Sequence, residues 1–180
     1  TRDAFSDTHG KRNRIRVAKT SGKIYKVSSD IILKKFLSRR AEEFDREFPL
    51  GYLTAIHRDV IARVKEGPLK GLCIPVSPDY SMAFAMLYYN DYIIYIDRAL
   101  ALATTNKVGT GKDCRVKGPG FYKYVKELGK DIRYYYDHVP IKIVTTFNCI
   151  YNDYMRIRHI LGGKLLQYDL DWPNYLTQSY

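Results

Sequence analysis

SPDYSMAFAMLYYNDYIIYID, Ser77 to Asp97, decides what kind of fold this chain builds. Ser77 is a helix-capping residue, and Pro78 suits a first helical position, where no backbone N–H is needed. Met82, Ala83, Met86 and Leu87 recur at the three- and four-residue spacing of a helix, which is predicted to end near Asn90 and Asp91. YIIYID then reads as a strand, because β-branched and aromatic residues suit a pleated, half-buried surface. The stretch also poses a chemical question. Asp79 stands in the first turn of the helix, behind the apolar segment GLCIPV. Acids are favoured there because aligned peptide dipoles leave partial positive charge at a helix start. An acid held at that point beside a pocket is also able to take a proton from a bound hydroxyl. The helix end is expected to lower its pKa and keep it ionised, the form a general base requires.

Upstream, KIYKV (23–27) alternates like a short strand. SSDIILKKFLSRRAEEFDREF places Ile32, Phe36, Leu37 and Phe44 at helical spacing behind a Ser cap. GYLTAI (51–56) reads as extended. Asp59 opens a helix carrying Val60, Ile61 and Val64 that stops at Gly67-Pro68. Downstream, ALALA (99–103) predicts a strand after a bend. Residues 104–120 read as a loop, and FYKYVKELG as a short helix ending at Gly129. IRYYYDHV fits either class. Pro140 is predicted to open a long amphipathic helix with Val144, Phe147, Ile150, Tyr151, Tyr154, Ile157, Arg158 and Leu161 on one face, closed by Gly162-Gly163. DWPNYL adds one more turn. With no internal repeat or linker, the pattern is α/β: a single domain over 23–180 behind a basic segment, 1–22, that reads as a loop or a frayed end.

The chain has 180 residues, 46% hydrophobic and 27% charged, enough for one domain with a real core. Seventeen Tyr stand against one Trp. Such residues line grooves that bind sugars or bases, and they also fill damp cores. The net charge of +11 implies an anionic partner: nucleic acid, a phosphate-bearing substrate or a membrane surface. Three cysteines, Cys73, Cys114 and Cys149, give neither zinc spacing nor a disulfide framework, so a reducing, cytoplasmic setting is expected. The richest apolar run is cut by Asn90, Asp91, Asp97 and Arg98, which argues against a membrane span and leaves peripheral membrane contact open. The chain begins at Thr1 without an initiating Met, so a fragment or processed product is expected.

Other candidate residues each have a plain structural explanation beside the chemical one. TTNKVGTGK (104–112) has glycines that let backbone N–H groups approach an anion, with Lys107 and Lys112 adding charge, yet it lacks P-loop spacing. His57 and Arg58 sit where an extended segment turns into a helix, a common place for ligand-facing residues and equally for a surface pair. His9, His138 and His159 have no partner at metal-ligand spacing. Asp169 to Asp171, DLD, has the look of a metal-binding acidic pair. The basic N-terminal segment and the tyrosines suffice for loose phosphate contacts and stacking, so a non-catalytic module for nucleic acid or another polyanion stands as the alternative.

Taken in order, YLTAIHRDVIARV, PVSPDYSMAFAML, YIIYIDRALAL and TTNKVGTGK resemble successive segments of the second half of a family 2 glycosyltransferase of the GT-A superfamily. The third is similar to that family's strand and I-D-x-P-L turn. VPIKIVTTFNCIYNDY fits its C-terminal helix. The resemblance spans residues 48–160. It implies a partial GT-A fold, a mixed sheet with covering helices, and an inverting transferase working on a nucleotide-sugar donor and a saccharide or other hydroxyl acceptor in polysaccharide biosynthesis. It casts Asp79 as general base. His57, Arg58, Tyr80, Thr105, Lys107 and Lys112 become substrate-binding residues, with Arg58, Lys107 and Lys112 offsetting diphosphate or acceptor charge. It also implies a divalent metal, Mn or Mg. The family's nucleotide-binding units and D-x-D motif belong upstream of the acidic segment, and residues 1–78 contain no D-x-D. The chain is therefore expected to be the acceptor-side part, with the donor-binding part missing.

Overall fold

The computed structural model describes residues 3–5, 14–16, 19–38, 46–100, 119–143 and 145–179. Within them lie two antiparallel strand pairs: β1 (Asp3–Phe5) with β2 (Arg14–Arg16), and β3 (Ile24–Ser28) with β4 (Tyr92–Ile96). In the second pair Ile24 faces Ile96 and Ser28 faces Tyr92. Val27, Ile93 and Tyr95 turn towards the core, and Ile24, Lys26, Ile94 and Ile96 are exposed, as alternation along KIYKV and YIIYI requires. Asp97 closes this pair. Its backbone N–H bonds to the Lys23 carbonyl at 2.9 Å, and its carboxylate accepts the Ser21 N–H and hydroxyl at 2.7 and 2.6 Å, which holds its pKa below the usual value.

The α/β class is as expected, but a single mixed sheet is not what the described residues form. Each sheet has two strands and is antiparallel. Of the two segments read as extended, GYLTAI does not pair among the described residues and ALALA is described only in part. GYLTAI begins as a 3-10 turn over Gly51–Leu53. Local bonds take its backbone groups: the Leu53 N–H and the Thr54 hydroxyl both donate to the Leu50 carbonyl, each at 2.8 Å. Of ALALA, Ala99 and Leu100 lie in a turn in which Arg98 bonds back to Ile96 and Leu100 to Arg98; residues 101–103 are outside the described set.

Seven helices are described: α1 (Ser29–Ser38), α2 (Arg58–Glu66), α3 (Pro78–Tyr89), α4 (Pro119–Glu127), α5 (Ile132–Tyr135), α6 (Thr146–Leu161) and α7 (Trp172–Ser179). The centre is α3. Ser81, Ala83, Phe84, Ala85, Met86 and Leu87 are all buried, so this helix is covered on most sides rather than along one stripe. It packs on α1, α2, α6 and the 3-10 turn. Aromatic rings fill the space around it. Phe36 stacks on Phe48 at 4.2 Å, and Phe84 meets both of them and Tyr154 edge-on at 5.0 to 5.5 Å. Many of the tyrosines are core residues with their hydroxyls satisfied: Tyr135 on the Leu128 carbonyl, Tyr154 on that of Tyr168, and Tyr175 on Asn148. The C-terminal end of α3 is met by cations, as its dipole favours. Arg63 donates to the Tyr89 carbonyl at 2.7 Å and Lys164 to that of Asn90 at 3.0 Å.

The long helix begins at Thr146, not at Pro140. Residues 140–143 stay outside the helix because carbonyls there are claimed from further along the chain. The Asn148 amide donates to the carbonyls of Ile141 and Ile143, both at 2.7 Å, while Thr145 caps α6 by accepting the Asn148 N–H. Gly162, at φ 58°, ends the helix where the glycine pair predicts. Asn148→Ala would remove the donor to two carbonyls and the acceptor of the Tyr175 O–H. It is expected to lower the unfolding free energy by about 2 kcal/mol. A shift of less than about 0.5 kcal/mol in a urea titration would show that apolar packing alone holds this segment.

Candidate functional site

Asp79 occupies the first turn of α3 and is half-buried. Its carboxyl titrates above the ordinary carboxylate range. Burial raises it, and hydrogen bonding to the backbone N–H groups of Tyr80 and of Asp79 itself draws it only part of the way back. The expected lowering by the helix end is thus overturned: loss of water outweighs the dipole and the N–H groups. Among the described residues no Lys, Arg or His forms an ion pair with Asp79. Two phenols lie within its electrostatic reach. Tyr52, at the exposed 3-10 turn, is pushed up by packing and then by the Asp79 charge. Tyr124, on α4, is pushed up by burial, by Asp153 and, more weakly, by Asp79.

Ser77 stands at the N-cap of α3 as expected, but its hydroxyl does not cap. Its backbone, at φ −118° and ψ 72°, lies outside the extended geometry that aims a capping hydroxyl at the helix. A carboxylate from another helix serves this end instead. Asp153, on α6, is fully buried. It accepts the Val76 N–H at 3.0 Å and the Ser77 N–H at 2.7 Å. Burial lifts its pKa to about 7, against the pull of those two N–H groups, the Arg156 charge and the Asn152 side chain. From the other side Ser81 pins the same strap. It accepts the Ile74 N–H at 2.9 Å and donates to the Pro78 carbonyl at 3.0 Å.

Of the other sequence-derived candidates, His57, Arg58 and Tyr80 lie among the described residues, and neither His57 nor Arg58 forms a hydrogen bond or ion pair with the Asp79 side chain there. His57 is the N-cap of α2, its Nδ1 accepting the Asp59 N–H, and Arg58 lies 3.6 Å from the Asp59 carboxylate with its side chain 93% exposed. The Tyr80 ring belongs to the aromatic core, 6.0 Å from Phe36 and 5.7 Å from Phe48. Its phenol adds to the field on Tyr52. Thr105, Lys107 and Lys112 lie outside the described residues. DLD is structural on both counts: Asp169 accepts the Leu170 N–H, and Asp171 accepts the Asn174 N–H in the first turn of α7. An open cavity of about 370 Å³ lies beside that pair and α1, and Asp79 is not among its lining residues.

Residues that sequence reasoning missed are Asp153, Ser81, Tyr52 and Tyr124. Asp153 left a trace, since an acid three residues after Ile150 and four before Ile157 sits on the apolar stripe of its own helix. Tyr52 and Tyr124 left none, because seventeen tyrosines give no contrast.

Among the described residues no group of three or more His, Cys, Asp or Glu could hold a metal ion. The divalent metal that the resemblance implies therefore finds no ligand set there, and no step below passes through one. Among the same residues no helix is long and apolar enough to cross a membrane. The chain matches no protein-family model, no curated protein and no solved structure.

Proposed function

We propose that this chain forms the acceptor-side part of an inverting, nucleotide-sugar-dependent glycosyltransferase of the family 2, GT-A type, with Asp79 as general base. The observation that carries the reading is the state of Asp79: a half-buried carboxyl at the mouth of the central helix, with no cation among the described residues paired to it and two phenols in its field. A carboxylate that served only to neutralise a helix end would be well solvated and acidic. One whose pKa is raised by burial is a stronger proton acceptor. In the proposed step the acceptor O–H gives its proton to Asp79. The oxygen attacks the anomeric carbon, and the bond from that carbon to the diphosphate breaks with its electron pair leaving on the nucleotide. Tyr52 and Tyr124 supply apolar faces and hydroxyls for a sugar ring beside the carboxyl.

The test is acceptor-dependent release of nucleoside diphosphate from a UDP-sugar, with the donor-binding part of the polypeptide present. The rate is expected to fall on the acid side as Asp79 takes up its own proton. Because burial raises its pKa, that limb is expected above the ordinary carboxylate midpoint of about 4. A rate independent of pH from 4 to 7 would reject Asp79 as the base.

The net charge of +11 supports a second reading, a polyanion-binding module without catalysis. The fully displayed Arg58 guanidinium at the start of α2 favours it. Tight nucleic-acid binding with a steep salt dependence, unchanged by Asp79→Asn, together with no transfer, would establish it.

A further inference from the structure

We propose that Asp153 is the positioning residue for Asp79: from α6 it grips the backbone of the strap just before α3 and so fixes where the Asp79 carboxyl points. The catalytic consequence rests on the transferase reading; the geometry does not. Residues 72–77 cross the mouth of α3 and are held at two points. Ser81 ties Ile74 and Pro78 from within the helix, and Asp153 takes the consecutive N–H groups of Val76 and Ser77. Only Pro78 separates the second grip from Asp79. A shift of this turn carries the first helical turn, and Asp79, with it.

The choice of residue at 153 is costly. A fully buried carboxyl gives up its hydration, and among the described residues no cation forms an ion pair with it. The Arg156 guanidinium, one turn on, is spent on the Tyr134 carbonyl and Asp137, at 2.8 and 2.9 Å. Two adjacent N–H donors aimed at one carboxyl are what offset that loss. A carboxylate accepts with both oxygens, and its bonds to N–H donors are the stronger, charge-assisted kind. Both short bonds end on Oδ2, with Oδ1 3.3 Å from the Val76 nitrogen, so an asparagine of the same shape keeps the Oδ2 acceptor but loses the charge that strengthens both bonds and turns an NH2 towards the Val76 N–H. Apolar packing alone would be served better by Leu at this stripe position, so an acid there points to a role in setting the strap.

The experiment uses carbon-13 NMR of the Asp79 carboxyl in the 180-residue chain, native and Asp153→Asn, with the amide spectrum as the check on folding. With the strap loosened, Asp79 gains water, so its midpoint is expected to move down towards the ordinary carboxylate value, and the Val76 and Ser77 amide signals to move upfield. In the transferase assay Asp153→Asn is expected to lower kcat by roughly 10- to 100-fold with KM little changed. A folded Asp153→Asn protein whose Asp79 midpoint matches the native one would overturn the inference. Should that variant not fold, the native protein decides. Burial lifts Asp153 to about 7, and the Asp79 signal is expected to show a second step wherever the Asp153 carboxyl signal itself titrates; an Asp79 curve with no step at that Asp153 midpoint would overturn the proposal. The NMR arm needs no donor, acceptor or turnover. Failure of the transferase reading appears instead as absent transfer by the native protein, or full transfer by Asp79→Asn.

Discussion

Asp79→Asn is expected to cut the transfer rate by about 10²- to 10⁴-fold while leaving the fold in place. The substitution preserves shape and removes the lone-pair basicity that accepts the proton. Asp79 lies at the surface end of α3 and is not part of the aromatic core, so stability should change little. Losing one favourable charge at a helix start costs about 0.3–1 kcal/mol, and relief of its own desolvation works in the opposite direction. The combination of a large kinetic and a small thermodynamic effect distinguishes a base from a capping acid. A capping acid gives the reverse, an intact rate with a modest loss of stability. The measurements are initial rates at saturating UDP-sugar and a urea titration of the same two proteins.

Asp153 is expected to make the protein less stable as pH rises from about 4 to about 7. Its folded-state pKa, near 7, lies above the value of a free aspartate, so the folded form binds the proton more tightly than the unfolded chain does. Below both values the carboxyl is neutral in either state and carries no penalty. Between them the unfolded chain releases its proton first, and folding must recapture it. Above pH 7 the buried site holds a charge, and the full cost is present. The expected size is on the order of 4 kcal/mol at most. Arg156 and the two N–H groups already act within that figure. The stability difference between the native protein and Asp153→Asn isolates this one group. It should narrow or reverse between pH 4 and 7 and then stay level. A difference that is constant with pH would mean that Asp153 titrates as an ordinary carboxyl.

Much of the local structure was legible because short-range signals coincide with what burial wants. Pro78, the Met82–Leu87 spacing and the run at Tyr92–Ile96 each point to one element, and each forms. Gly162 ends α6 for a reason written in its own φ. The misreadings share a cause. GYLTAI has strand residues, but the Thr54 hydroxyl and the Leu53 N–H take the Leu50 carbonyl within one turn, and among the described residues no strand pairs with it. Pro140 looks like a helix start until the Asn148 amide, reaching back five and seven residues, takes the Ile143 and Ile141 carbonyls that a helix would use.

The candidate site was legible in place but not in sign. Asp79 stands where the helix signal puts it. Its pKa moves upward because tertiary packing removes water, and no sequence window contains that packing. The pairing of Asp153 with the Val76 and Ser77 N–H groups spans more than seventy residues and was visible only as an acid on an apolar stripe. His57 and Arg58 show the opposite case. Their setting suggested ligands; His57 caps α2 by accepting the Asp59 N–H, and Arg58 stands exposed beside the Asp59 carboxylate.

The most direct test of the central claim is a carbon-13 NMR titration of the Asp79 side-chain carboxyl in the native chain. A midpoint clearly above that of a free aspartate is the expected result. A midpoint at or below it would mean that the helix end and bulk water govern this group, leaving no basis for a proton acceptor there.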